Sequence, residues 1–327
     1  VAVEDLVAGD EVSVMEHGRA VSRPVSWIGR QHRSIDSRHA TPDAYPVRIR
    51  AGAFREEVPH RDLLVTAEHC VFVDGVLIPA RMLVNGRSIV VDRSITAFDY
   101  FHLELERHGI LVAEGLETES YLDTGNRGTF ANGAGANGAA SIDTRTWAEH
   151  AAAPLTVDRA AVEPVWNRLA ARAEALGMAS APELALMEEP VLRLVTRSGM
   201  EIAPTLVDGR SYAFVVPGGV DAVRLRSRSS RPSEIVGPFL DDRRRLGVLV
   251  GQISVGAGRR RHDYDAHLTA DTLSGWHPRE DDAPRRWTNG DASLVLDLAE
   301  TGNRPVFLDI EVLAAGPYRG DGGRPAA

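Results

Sequence analysis

The chain has 327 residues and a formal charge of −9, with 43% hydrophobic and 25% charged residues, the balance of a soluble globular protein of about two domains. All 37 bases are arginine, so chemistry that needs a lysine amine, whether a Schiff base or a Walker-type phosphate loop, is excluded within this stretch. The one cysteine, Cys70, allows neither an internal disulfide nor a cysteine-based zinc framework, and the acidic total argues against a general nucleic-acid partner.

The start, Val1-Ala2-Val3, has neither an initiator methionine nor a signal-peptide layout, so the chain reads as a piece of something longer. No apolar run reaches membrane-spanning length. Short β-type runs follow at Val12–Val14, Val47–Ile49, Leu63–Val65, Val71–Val73, Ser88–Val91 and Tyr100–Leu105. Asp74-Gly75 reads as a hairpin turn, and Asn85-Gly86 as a second candidate. Phe101, Leu103 and Leu105 alternate with His102, Glu104 and Glu106, the period of a strand with one wet face.

Residues 128–157 are rich in Gly, Ala, Asn and Thr and read as a flexible linker. A connecting helix is predicted over 158–178, with Val165, Leu169, Ala173 and Leu176 at helical spacing, Pro164 in the first turn and Gly177 as its stop. Strand signals return at Val191–Val195, Ser211–Val216, Val223–Leu225, Leu246–Val255, Ser293–Leu298 and Val306–Val312, which suggests a β-sandwich-like domain over 188–316 and a disordered tail over 317–327. The arginine runs 243–245 and 259–261 lie among Asp241, Asp242, Asp263 and Asp265 and read as solvated, self-neutralising loops.

The sharpest chemical signal is Thr66-Ala67-Glu68-His69 between two apolar strands. An imidazole can donate to an amide nitrogen as it becomes a leaving group, and a hydroxyl three residues earlier can steady the ring or hold the preceding carbonyl. Taken alone, a Thr and a His three apart at a strand end read as structural rather than catalytic. Cys70, beside an apolar run, reads as a buried, inert thiol.

Four blocks in order carry a resemblance. They are Val3-Glu4-Asp5-Leu6-Val7-Ala8-Gly9-Asp10, Thr66-Ala67-Glu68-His69, Ile78-Pro79-Ala80-Arg81-Met82-Leu83-Val84-Asn85-Gly86, and Tyr100-Phe101-His102-Leu103-Glu104-Leu105-Glu106-Arg107-His108-Gly109-Ile110-Leu111-Val112-Ala113-Glu114-Gly115. Together they resemble the hedgehog/intein (Hint) family over residues 1–127, and more closely its bacterial branch of exported or surface-associated proteins. The resemblance implies an all-β horseshoe and an N-to-S or N-to-O acyl shift that cleaves the flanking N-terminal polypeptide. It makes Thr66 and His69 the activating pair, and His108 a second candidate opening onto the same space. His102 ranks below these, as a solvent-facing strand histidine. No cofactor or metal is implied.

Two departures qualify the resemblance. In the family a Cys or Ser nucleophile opens the domain ahead of the Val-Glu-Asp-Leu stretch, where this chain begins, so the chain as it stands is expected to be inert towards its own backbone. Splicing inteins end on His-Asn, whereas here the corresponding region reads Gly115-Leu116-Glu117-Thr118-Glu119-Ser120-Tyr121-Leu122-Asp123, and Asn126 follows a glycine. Single cleavage rather than splicing is the expectation. The rivals are a non-catalytic scaffold with a glycan or protein ligand on the second domain, and an unrelated hydrolase pairing His69 with Glu68 or Asp62. For the glycan reading, Trp276 is the exposed platform, with Arg279 and Glu280 as planar polar partners, while Trp287 fills the core. His262 and His267, in a charged hairpin tip, are read as no metal site.

Overall fold

In a computed structural model of the chain, which describes residues 1–38, 40–133, 145–180, 185–257, 260–280, 283–296 and 304–320, Asp74-Gly75 forms the tight turn that its composition predicts. Both residues have positive φ, 51° and 86°, and the flanking strands pair from Cys70 opposite Pro79 to Val73 opposite Val76. The protein is mainly β, its paired strands antiparallel throughout the described residues, and no described helix is long and apolar enough to cross a membrane. The chain divides into two units, Val1–Pro182 with Pro238–Asp241, and Glu183–Gly237 with Asp242–Ala327.

The first unit holds β1 (Glu11–Glu16), β2 (Arg19–Ser34), β3 (Val47–Ile49), β4 (Leu63–Val65), β5 (Cys70–Val73), β6 (Val76–Pro79), β7 (Ile89–Val91), β8 (Ala97–Leu105), β9 (Ile110–Ala113) and β10 (Leu116–Glu119). Seven of them form one sheet in the order β6-β5-β10-β9-β1-β2-β8, and β4-β3-β7 form a second. The 16-residue β2 went unseen in the sequence because Arg19, Arg23, Arg30, Arg33 and Pro24 mask its alternation. Its first part pairs with β1, and past an irregularity between Val25 and Trp27 the rest pairs with β8.

Two short helices follow, α1 (Trp147–His150) and α2 (Arg159–Ala175). The expected linker and connecting helix need correction. Thr156 donates to the Leu77 carbonyl and Leu77 to the Pro154 carbonyl, so residues 154–156 are bound to β6. Phe130 is buried against Trp27 and Tyr121, and only residues 134–144 of the expected linker lie outside the described residues. Helix α2 buries Val162, Val165 and Leu169 in the same core as Ile78, Met82 and Leu83, because its apolar stripe is worth more against that sheet than in water. Asp158 caps it by accepting from the Ala160 amide, Pro164 lies past its first turn rather than in it, and Gly177, at φ 67°, closes it. Met178 then donates to Ala173 and Gly177 to Glu174, so the last carbonyls are satisfied.

The second unit packs two antiparallel sheets. One joins Glu201–Ile202, Arg193–Thr196, Ala222–Arg226 and Asp291–Val295, and the other joins Leu206–Asp208, Ser211–Val216, Val306–Ala315, Val248–Ala257 and Arg260–Tyr264. Leu194, Leu225 and Leu294 of the first meet Phe214, Ile253 and Ile310 of the second in one core, the arrangement of a sandwich. Residues 260–264 are a strand, not a loop, and Arg261 binds Asp309 and Ser254 across its neighbours. Arg244 is held by Asp242 and Glu280. Of the expected tail, residues 321–327 lie outside the described residues, but Tyr318–Arg319 pair with Leu186–Met187, and the buried Tyr318 hydroxyl donates to the Gly247 carbonyl.

Candidate active site

Val65 ends β4 in the three-stranded sheet and Cys70 begins β5 in the seven-stranded one, so Thr66 to His69 is the turn that passes the chain between sheets. It is pinned on both sides. His69 donates its amide to the Thr66 carbonyl (3.1 Å), Arg81 donates to Ala67 (3.0 Å) and Ala80 to His69 (2.9 Å). The bonds that hold the turn are between backbone groups and use neither the Thr66 nor the His69 side chain.

Thr66 and His69 line a cleft of about 730 Å³ in the first unit that the chain start, Val1 to Glu4, also lines. His102 and Glu119 share it. β8 and β5 lie far apart in the strand order, yet the His69 and His102 rings are 5.8 Å apart, so the sheet curls until these strands face each other. The Tyr121 amide, two residues beyond the end of β10, donates to the Leu103 carbonyl at 2.6 Å and holds β8 against the end of β10. Behind His102 stand Phe130, Tyr121 and Tyr100, at 5.4 to 5.8 Å. Gly29, opposite His102, leaves room for them, since a Cβ there would come within 2.8 Å of Phe130.

Burial sets the protonation of the site. It holds the His69 imidazole down at about 3, the neighbouring His102 adding to the effect, and His102 itself at about 4, so both rings are neutral at pH 7. His69 is 16% exposed towards the cleft. The Glu119 carboxyl, 7% exposed, is pushed up to about 7 by the same desolvation. Its Oε1 accepts from the Cys70 amide at 2.8 Å and lies 3.8 Å from His69 Nδ1, while its Oε2 is buried with no hydrogen-bond partner among the described residues.

The other expected residues fall elsewhere. His108 does not open onto the cleft. Its Nδ1 accepts from the Ala152 amide at 2.9 Å and its ring packs on Trp147, because residues 145–157 fold back over the start of β9. His102 is half-buried in the cleft wall rather than solvent-facing. Glu104, expected on a wet face, is buried and paired with Arg127. Glu68 binds Arg81, and Asp62 binds Arg48 and the Ala51 amide, so the carboxylate within 4 Å of His69 is Glu119 rather than either acid read from the sequence.

In the second unit Trp276 is only 8% exposed and donates its indole N–H to the Ser293 carbonyl, because residue 276 bridges to Thr288 and carries its ring into the core; Trp287, expected inside, is half-buried. Glu280 is engaged by Arg244, and Arg279 donates to the Leu268 carbonyl. His267 is fully buried with Nε2 on the Gly251 carbonyl, whereas His262 is exposed. Trp276 is thus core, not an exposed platform.

Cys70 is 2% exposed, its thiol pushed up by burial and then by the charge of Glu119. A thiol reagent is expected to leave native protein unlabelled for hours and to label it stoichiometrically after denaturation. Rapid native labelling would show that β5 opens or that the thiol faces the cleft.

Residues 1–125 match the Hint domain family. No curated protein and no solved structure matches the chain. The Hint domain therefore carries the cleft, its Thr66–His69 turn and the chain start, while residues 126–182 and the second unit lie outside the match.

Proposed function

We propose that the Hint domain cleaves the polypeptide ahead of it once, without splicing. The observation that carries this reading is that Thr66, His69 and the chain start line one cleft, so a peptide bond delivered by the segment before Val1 would meet a fixed neutral imidazole. A Cys or Ser from that segment adds through its sulfur or oxygen to the preceding carbonyl, the C–N bond breaks, and the departing nitrogen takes a proton from His69, which the nucleophile's S–H or O–H proton replaces at the other ring nitrogen. Thr66 steadies the carbonyl or the ring. A second nucleophile then opens the ester or thioester.

Splicing has no support at the other end. The region Gly115 to Asp123, where splicing relatives end on His-Asn, holds neither histidine nor asparagine, and Asn126 Oδ1 accepts from the Tyr121 hydroxyl. The polypeptide expressed with the residues encoded upstream of Val1, tagged at both ends, is expected to give one defined break near Val1, faster with added thiol or hydroxylamine. A polypeptide that stays whole, or one whose flanks become joined, overturns the reading.

A further inference from the structure

Glu119 is the group in the cleft that the Thr-x-x-His scheme leaves without a task. It is almost wholly buried, it spends one oxygen on the Cys70 amide, and its other oxygen has no partner among the described residues. A buried oxygen without a partner destabilises the fold, more so when charged, so its persistence asks for an explanation. The same carboxyl has His69 beside it, with Nδ1 3.8 Å from Oε1, a small shift short of a hydrogen bond.

We propose that Glu119 is the proton partner of His69, a positioning residue that hands the imidazole a proton at Nδ1 while the other ring nitrogen gives one up to the leaving amide nitrogen. This rests on the autoprocessing reading above. The step balances. The bond from nucleophile to carbonyl carbon forms, the C–N bond breaks, the nitrogen gains the proton that His69 releases, His69 regains one from the Glu119 carboxyl, and the carboxylate so formed takes the proton of the nucleophile's S–H or O–H. No net charge is left in the cleft.

The surroundings favour one shared proton over a fixed ion pair. Facing Glu119 and His69 are Glu68 and Cys70 from the turn and β5, and His102 from β8; Arg81, the nearby cation, is already bound to Glu68 and Asp241. None of them supplies Glu119 with a permanent counter-charge. The carboxyl, near 7, titrates close to neutrality, while His69, near 3, stays neutral there. His69 Nδ1 then accepts from the protonated acid and donates to the carboxylate, which is a change of tautomer without a change of ring charge.

That exchange can be read in the intact 327-residue chain by NMR of ¹⁵N-labelled histidine. The His69 ring nitrogens are expected to shift with a midpoint near pH 7, to lose that inflection in Glu119→Gln, and to keep it at a displaced midpoint in Glu119→Asp. Dispersed amide spectra of both variants establish that they are folded. In the upstream-extended polypeptide, Glu119→Gln is expected to slow cleavage by about 10²-fold and to flatten its pH profile near neutrality, with Glu119→Asp restoring part of the rate. A His69 ring that is flat from pH 5 to 9, or an inflection that survives Glu119→Gln, overturns the pairing. An intact inflection in a polypeptide that never cleaves removes the autoprocessing reading and leaves the pair standing.

Discussion

Replacing His69 by alanine in the upstream-extended polypeptide is expected to slow self-cleavage by about 10²- to 10⁴-fold, the range that a positioned proton donor contributes. The size follows from the turn that holds it. Because Ala80 and Arg81 bond the backbone of Ala67 and His69, the ring is placed before any substrate arrives, and no other donor on that turn replaces it. Thr66→Ala should be milder, since it removes an aid to alignment rather than the proton. His108→Gln should leave the rate near that of the wild type, because His108 is turned away from the cleft and bound to Ala152. A His69→Ala protein that cleaves within about tenfold of the wild-type rate would show that proton transfer to the leaving nitrogen is not assisted at this position.

The second large effect is acid sensitivity of the first unit. His69, His102 and His108 are held at about 3, 4 and 4 by burial, against an ordinary value near 6.5. The unfolded chain therefore binds protons that the folded chain refuses, and stability falls as pH drops from about 6.5 towards 4. Each ring costs about 1.4 kcal/mol per pH unit in that window, so each contributes a loss of about 3 kcal/mol by pH 4. Glu119 acts in the opposite sense. Its folded value, about 7, lies above the ordinary 4.5, so its contribution is complete below 4.5 and is lost as pH rises through 7. Three imidazoles outweigh one carboxyl, and the net change on acidification is a loss. Amide exchange of β5 and β8 between pH 7 and 4.5 checks this, and protection that stays level across that range would mean that the histidines are hydrated in solution.

Some of the protein is legible one residue at a time. Asp74-Gly75 forms its turn because both residues tolerate positive φ, Gly177 ends its helix for the same reason, and the alternating apolar runs at 47–49, 63–65 and 211–216 become strands of those bounds. The Thr66 to His69 step is legible as a turn too, since it lies between two apolar strands. These are local properties, decided by φ preference and by which face of a short segment is apolar, and they locate the turn without giving Thr66 and His69 a task.

What the tertiary structure decides is which distant residues meet. Nothing within β8 distinguishes His102 from a solvent-facing histidine; it reaches His69 because the seven-stranded sheet curls and the Tyr121 amide ties the chain beyond β10 to β8. Glu119 looks like one more acid in Leu116-Glu117-Thr118-Glu119 until the pairing of Thr118 with Val71 sets it against the Cys70 amide. His108 leaves the site, and Trp276 leaves the surface, for the same kind of reason: segments remote in sequence, residues 145–157 and Thr288, pack over them. Local preference acts over a few residues, whereas burial, and the proton affinities that follow from it, depend on every segment that packs around a side chain.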